Sequence, residues 1–242
     1  MPARLRDNRV HILITCEHGG NRIPARYRPL FKRHRQALES HRGYDPGALA
    51  VARDLAGAFE AELIHSTTSR LLVELNRSPG HPRVFSEATR GLPPEERHAL
   101  LQRYYFPYRN RVETQIASAT AKGARVLHVS SHSFTPRLDD IERRADVGLL
   151  YDPRRAGEQR LCLAWKRALE SAASGLVVRR NYPYRGYDDG LTTHLRRRFA
   201  ERSYSGIELE VNQKHALGEP RAWRALRALL VASLRQALAR RF

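Results

Sequence analysis

VHILITC at residues 10–16, running directly into EHGGNRIP at 17–24, is the stretch that decides the fold. A short apolar run that stops abruptly at polar residues reads as a buried strand whose C-terminal end opens into a loop. Downstream, PGALAVARDLAGAFE (46–60) sets Leu49, Val51, Ala52, Leu55, Ala56 and Phe59 at helical spacing, with Pro46 suited to the first turn. ELIH (62–65) and RLLVELN (70–76) read as further strands, and the Pro/Gly-rich residues 78–94 as a long loop that contributes to a site. Residues 95–122 are helical, and RVLHVSS (125–131) is a strand ending at His132. Strands at 146–151, 176–180 and 206–212 then alternate with helices at 157–174, 191–200 and 219–241. The alternation implies one α/β domain over residues 1–242, a three-layer sandwich with a mixed, largely parallel sheet. Such folds carry their sites in polar loops at the C-terminal strand ends.

The composition excludes several classes. A chain of 242 residues with 41% hydrophobic content is long and apolar enough to bury a core, which rules out a disordered polycation. No apolar run approaches the roughly 20 residues of a membrane span, and the short run near the N-terminus reads better as a strand than as a signal segment. Cys16 and Cys162 cannot form a disulfide framework, so a cytoplasmic location is expected. The net charge of +18 comes from 39 arginines and four lysines against 25 acids. That balance raises a nucleic-acid-binding reading. Against it, the arginines are dispersed, and the densest groups, Arg196–Arg198 and Arg235–Arg241, sit in helical text.

Three strand ends present acid/base or metal-type side chains. The first gives Glu17 and His18, a later one His132 in SSHSFTP, and the last Glu208 and Glu210 in GIELEVNQ. Asp45, in HRGYDPG, adds a carboxylate that could equally cap the following helix. Two imidazoles and a carboxylate are the usual ligands of a hydrolytic zinc, with a further glutamate as general base. Glu208, Glu210 and Asn212 share strand parity, so a plain solvent face is no answer until it is known what covers them.

In order along the chain, CEHGGNRIP, HRGYDPGA, TSRLLVELNR, RYYFPYRNRV, SSHSFTP, NYPYRGYDDG and GIELEVNQ resemble the N-formylglutamate amidohydrolase family, from about residue 11 to about 213. That family is similar to the zinc carboxypeptidase and aspartoacylase group, with its phosphorylase/hydrolase-like sandwich. The resemblance implies zinc-dependent hydrolysis of a small anionic N-acyl amino acid such as N-formylglutamate. It implies His18 and His132 as metal ligands. The relatives' third ligand, a glutamate three residues after the first histidine, is Asn21 here. Asp45 is the replacement, with Glu17 the rival. Glu210 matches the general base, with Glu208 as fallback. Arg70 matches an oxyanion-stabilising arginine, and Asn76 with Arg77 a clamp for the substrate carboxylate. Tyr184 and His194 lie in a segment that closes over substrate in the relatives. A peptide-directed zinc amidase and a nucleic-acid-binding protein are the competing readings.

Overall fold

The apolar run that opens the reading is the second strand of a six-stranded sheet in the computed structural model, which describes residues 10–239. Residues 1–9 and 240–242, where the expected domain begins and the expected last helix ends, lie outside the described residues. The strands are β1 (Val10–Cys16), β2 (Glu62–His65), β3 (Arg125–Phe134), β4 (Arg137–Leu138), β5 (Ile141–Glu142), β6 (Val147–Leu150), β7 (Val178–Arg180) and β8 (Tyr204–Asn212). The helices are α1 (Arg35–Glu39), α2 (Ala48–Ala58), α3 (Pro94–Leu100), α4 (Phe106–Ala121), α5 (Ala156–Ala172), α6 (Leu191–Arg198), α7 (Gln213–Ala216) and α8 (Pro220–Ala239). The sheet order is β2-β1-β3-β8-β6-β7, and only the β8–β6 pairing is antiparallel; β4 and β5 form a separate small ribbon. The sheet is thus mixed and largely parallel, with helices on both faces.

Period-two alternation divides the three central strands between two cores. Ile14 and Cys16 of β1, Leu127 and Val129 of β3, and Ile207, Leu209 and Val211 of β8 pack against α2, α5 and α8 through Val51, Leu55, Trp165, Leu230 and Leu234. Leu13, Val126 and Tyr204, of the opposite parity, pack against α4 and α6 through Tyr108, Val112, Ile116, Leu191 and Leu195. Further along each strand this second face turns polar. It carries Thr15, then His128, Ser130 and His132, then Glu208 and Glu210. The parity shared by Glu208, Glu210 and Asn212 therefore marks a covered polar face.

Two expectations need correction. RLLVELN (70–76) is not a strand but a series of turns. Its apolar residues are buried all the same: Leu71 and Leu72 join a small core under α3, and Val73 and Leu75 join the α4 side. The apolar run signalled burial, which turns packed between two cores satisfy without joining the sheet. The helix expected over 95–122 is divided by a π-helical turn at Leu101–Tyr105. Cys16 and Cys162 are buried and unpaired. No helix among the described residues is long and apolar enough to cross a membrane.

Candidate active site

β1 delivers Glu17 and His18 into a turn held against the loop after β2. Gly19 N donates to Ser66 O at 3.0 Å, and a Cβ on Gly19 or Gly20 would stand 2.9 or 2.8 Å from the backbone oxygen of Ser66 or Thr67. Only residues without a side chain allow that approach. Asp45 is locked to the same turn, its N donating to His18 O at 2.9 Å. Its carboxylate caps no helix, because the residue preceding α2 is Gly47 and no side chain caps it. His132 sits inside β3, its Cα paired with that of Glu210 on β8.

These placements bring three side chains to one point. Asp45 Oδ2 lies 3.2 Å from His18 Nδ1 and 2.9 Å from His132 Nδ1. The three ligand atoms fall within 4.8 Å of one another, and all three residues are buried. Each ring's far nitrogen meets a second carboxylate: His18 Nε2 is 2.5 Å from Glu74 Oε1, and His132 Nε2 is 3.0 Å from Glu17 Oε2. Glu17 is itself fixed by the Ser130 hydroxyl at 2.5 Å and the Tyr108 hydroxyl at 2.7 Å. Glu74 also receives Arg70 Nε at 2.7 Å and Asn76 N at 2.8 Å.

The donor set fits a zinc-type cation. With each Nε2 proton directed at Glu74 or Glu17, the two Nδ1 atoms would turn lone pairs on one carboxylate oxygen, an arrangement of three acceptors that needs a cation or protons between them. Ligand bonds of roughly 2.0–2.1 Å in a tetrahedron put neighbouring ligand atoms about 3.3 Å apart, near the distances seen here. Burial opposes charge throughout, and the partners win. His132 is raised well above its usual value by Asp45 and Glu17, and His18 is raised by Glu74 and Asp45 against Arg70. Asp45 is held below the carboxylate range by His18, His132 and Arg70, Glu17 by His132, Ser130 and Tyr108, and Glu74 by Arg70 and His18.

A cavity of about 270 Å³ opens onto these ligands and is also lined by Arg70, Asn76, Arg77, Tyr184, Glu208 and Glu210. Glu210 is 5% exposed, and its Oε2 is buried with no hydrogen-bond partner. Burial first, with repulsion from Asp45 and Glu208, raises its carboxyl to about 8 against the pull of His132 and Arg70. Glu208 is the less free of the two, because its Oε1 accepts the Thr192 hydroxyl at 2.6 Å. Arg70 donates to Asp45 Oδ1 at 3.2 Å as well as to Glu74. Asn76 Oδ1 accepts Leu191 N at 2.7 Å, and Arg77 spends one of its five donors on Asp189 O at 2.5 Å. Tyr184 is exposed, its hydroxyl accepting from Arg143 Nη1 at 3.1 Å.

A model of the N-formylglutamate amidohydrolase family matches residues 10–217. The chain belongs to that family. Among solved structures it is similar to a gene product of Agrobacterium tumefaciens, at 32% identity and a TM-score of 0.80, over 94% of this chain and 90% of that one. It shares the fold of an N-formylglutamate amidohydrolase from Ralstonia eutropha JMP134, at 22% identity and a TM-score of 0.65, over 95% of this chain and 94% of that one. No curated protein sequence matches.

Within this family fold the expected site residues meet in one cavity, with one exception. His194 lies elsewhere: its Nε2 faces Glu113 Oε2 at 3.3 Å, in a shallower groove of about 490 Å³ between α4 and α6 that holds none of the converging ligands. The first turn of α6 reaches the site through Leu191 N and the Thr192 side chain, and two residues beyond Thr192 the helix has turned about 200° away. Glu17 stands behind His132 at Nε2 and not beside Asp45, so it supports a ligand instead of competing to be one. Sequence reasoning missed Glu74, whose signal was a charged residue set among Leu72, Val73 and Leu75. Tyr108 and Ser130 were also passed over, although both stand in the quoted motifs.

Proposed function

We propose that the chain is a zinc-dependent amidohydrolase that cleaves the N-acyl bond of a small anionic N-acyl amino acid, with N-formylglutamate the leading candidate. One observation carries this reading: His18, His132 and Asp45 converge, through His18 Nδ1, His132 Nδ1 and Asp45 Oδ2, on a cavity that is also lined by Glu210, whose Oε2 has no hydrogen-bond partner. His18, Asp45 and His132 would hold the zinc, which supplies a Lewis acid that acidifies water and polarises a carbonyl. A cation held by His18, Asp45 and His132 would bring the Glu210 carboxyl down from its raised value and leave it ionised, and Glu210 then takes the proton of the attacking water and returns it to the amide nitrogen as the C–N bond breaks. Arg70, fixed by Asp45 and Glu74, stabilises the charge that develops on the acyl oxygen. Asn76 and Arg77 bind the substrate α-carboxylate, the arginine through a two-pronged fork. The products are a free carboxylic acid and an amino acid. A cavity of about 270 Å³ suits a substrate of this size better than a polymer.

A panel of N-formyl, N-acetyl and N-succinyl amino acids tests the proposal. Turnover is expected for the wild type on at least one acidic member. Glu210→Gln is expected to keep its metal and lose turnover. Undiminished activity in Glu210→Gln overturns the assignment of the base.

A further inference from the structure

Three side chains of the motif RYYFPYRNRV (103–112), Tyr105, Tyr108 and Arg109, reach the back of the site, and only Tyr108 has been given a place there. The turn that carries Asn76 and Arg77 has no sheet neighbour, so its carbonyls need donors from elsewhere. Two residues of this motif supply them. Arg109 Nη1 donates to Leu75 O at 3.1 Å and to Arg77 O at 3.2 Å, and the Tyr105 hydroxyl donates to Arg77 O at 2.6 Å. Both are buried, at 5% and 1% exposure. Arg109 makes no ion pair with a carboxylate among the described residues; its guanidinium lies 5.2 Å from the centroid of the Tyr105 ring, and its Nη2 has no partner. A buried guanidinium without a counter-ion is costly, and this one spends its charge on two carbonyls of a single turn. The π-helical turn at Leu101–Tyr105 and the helix that follows put Tyr105, Tyr108 and Arg109 on one face. From that face Tyr108 reaches Glu17, the carboxylate behind His132.

We infer that Tyr105 and Arg109 are positioning residues that hold the Asn76–Arg77 turn in the attitude needed to grip the substrate carboxylate. This rests on the role proposed for Asn76 and Arg77. From the front the same turn is pinned by Leu191 N on Asn76 and by Asp189 O under Arg77, so the back contacts decide how far it can tilt away from those two anchors.

The test uses the metal-loaded protein, Tyr105→Phe and Arg109→Lys. Amide hydrogen exchange is followed over residues 74–78 and 127–133. Steady-state kinetics are measured on N-formylglutamate and on an N-formyl alkylamine that lacks the α-carboxylate. Exchange is expected to quicken at 74–78 and stay unchanged at 127–133. KM for N-formylglutamate is expected to rise about fivefold in Tyr105→Phe and about tenfold in Arg109→Lys, with kcat held within about twofold. Kinetics on the alkylamine are expected to match the wild type. Unchanged exchange at 74–78 overturns the inference, as does an equal effect on both substrates, which marks a merely structural role. If Arg109→Lys does not fold, Tyr105→Phe decides alone, since it removes one oxygen atom. If the wild type cleaves neither substrate, the proposed function falls, and the exchange measurement still decides whether these residues set the turn.

Discussion

Acidification should weaken the fold through one buried imidazole. His128 is fully buried on the polar face of β3, with Nε2 2.8 Å from the Thr15 hydroxyl and Nδ1 2.8 Å from the Tyr204 hydroxyl. Burial, aided by Arg196 and His132 and opposed by Glu17, lowers its pKa to about 4. The folded protein therefore holds the ring neutral, while the unfolded chain protonates it near the ordinary value of about 6.5. Between these two values the unfolded state binds the extra proton, so stability falls as pH falls. Integrating the linkage from pH 7 to pH 5 gives a loss of about 2 kcal/mol from this group alone. Other groups titrate over the same range, so the quantity to measure is a difference. Urea unfolding of the wild type and of His128→Gln, at pH 7 and pH 5, isolates it, because glutamine retains a donor and an acceptor for Thr15 and Tyr204 and does not titrate. The wild type should lose about 2 kcal/mol more than the variant over that interval. An equal loss in both proteins would rule out His128 as the source of the pH dependence.

Two further outcomes follow from buried carboxylates. Glu74→Gln removes the charge behind His18 Nε2 and beside Arg70, and should weaken zinc affinity by about 10- to 100-fold in a competitive chelator titration while leaving the fold intact. Glu158 is fully buried, accepts Arg196 Nε on both oxygens at 3.0 and 3.1 Å, and also takes Asp152 N and Gly206 N. Glu158→Gln strands the Arg196 guanidinium and should cost about 3–5 kcal/mol in denaturant unfolding.

The parts legible in sequence were those whose signal is local. VHILITC ends abruptly at polar residues, and the structure places its end beside two other strand ends. His18, His132 and Glu210 could be singled out because each stands at or near such an end. Parity correctly put Glu208 and Glu210 on one face, and that face proved to be covered by the site. RLLVELN misled because burial without a strand partner leaves the same apolar text as a strand. His194 misled because two residues along a helix separate the site from the outer groove. Glu74 stayed hidden because its partners, His18 and Arg70, arrive from a different turn and the far end of its own. The charge was the least legible feature. Some arginines are internal fasteners: Arg155 donates to the carbonyls of Arg196, Phe199 and Tyr204, as Arg109 does to those of Leu75 and Arg77. A sum of +18 therefore mixes structural, site and surface cations, and a total cannot separate them.

His18, Asp45 and His132 are proposed to form a metal centre on which turnover depends. Elemental analysis of the purified wild type and of His132→Ala, paired with turnover of N-formylglutamate, tests it most directly. About one zinc per chain is expected in the active wild type, with loss of both metal and turnover in the variant. Stoichiometric metal and full activity in His132→Ala, or an active wild type that binds no metal, would contradict it.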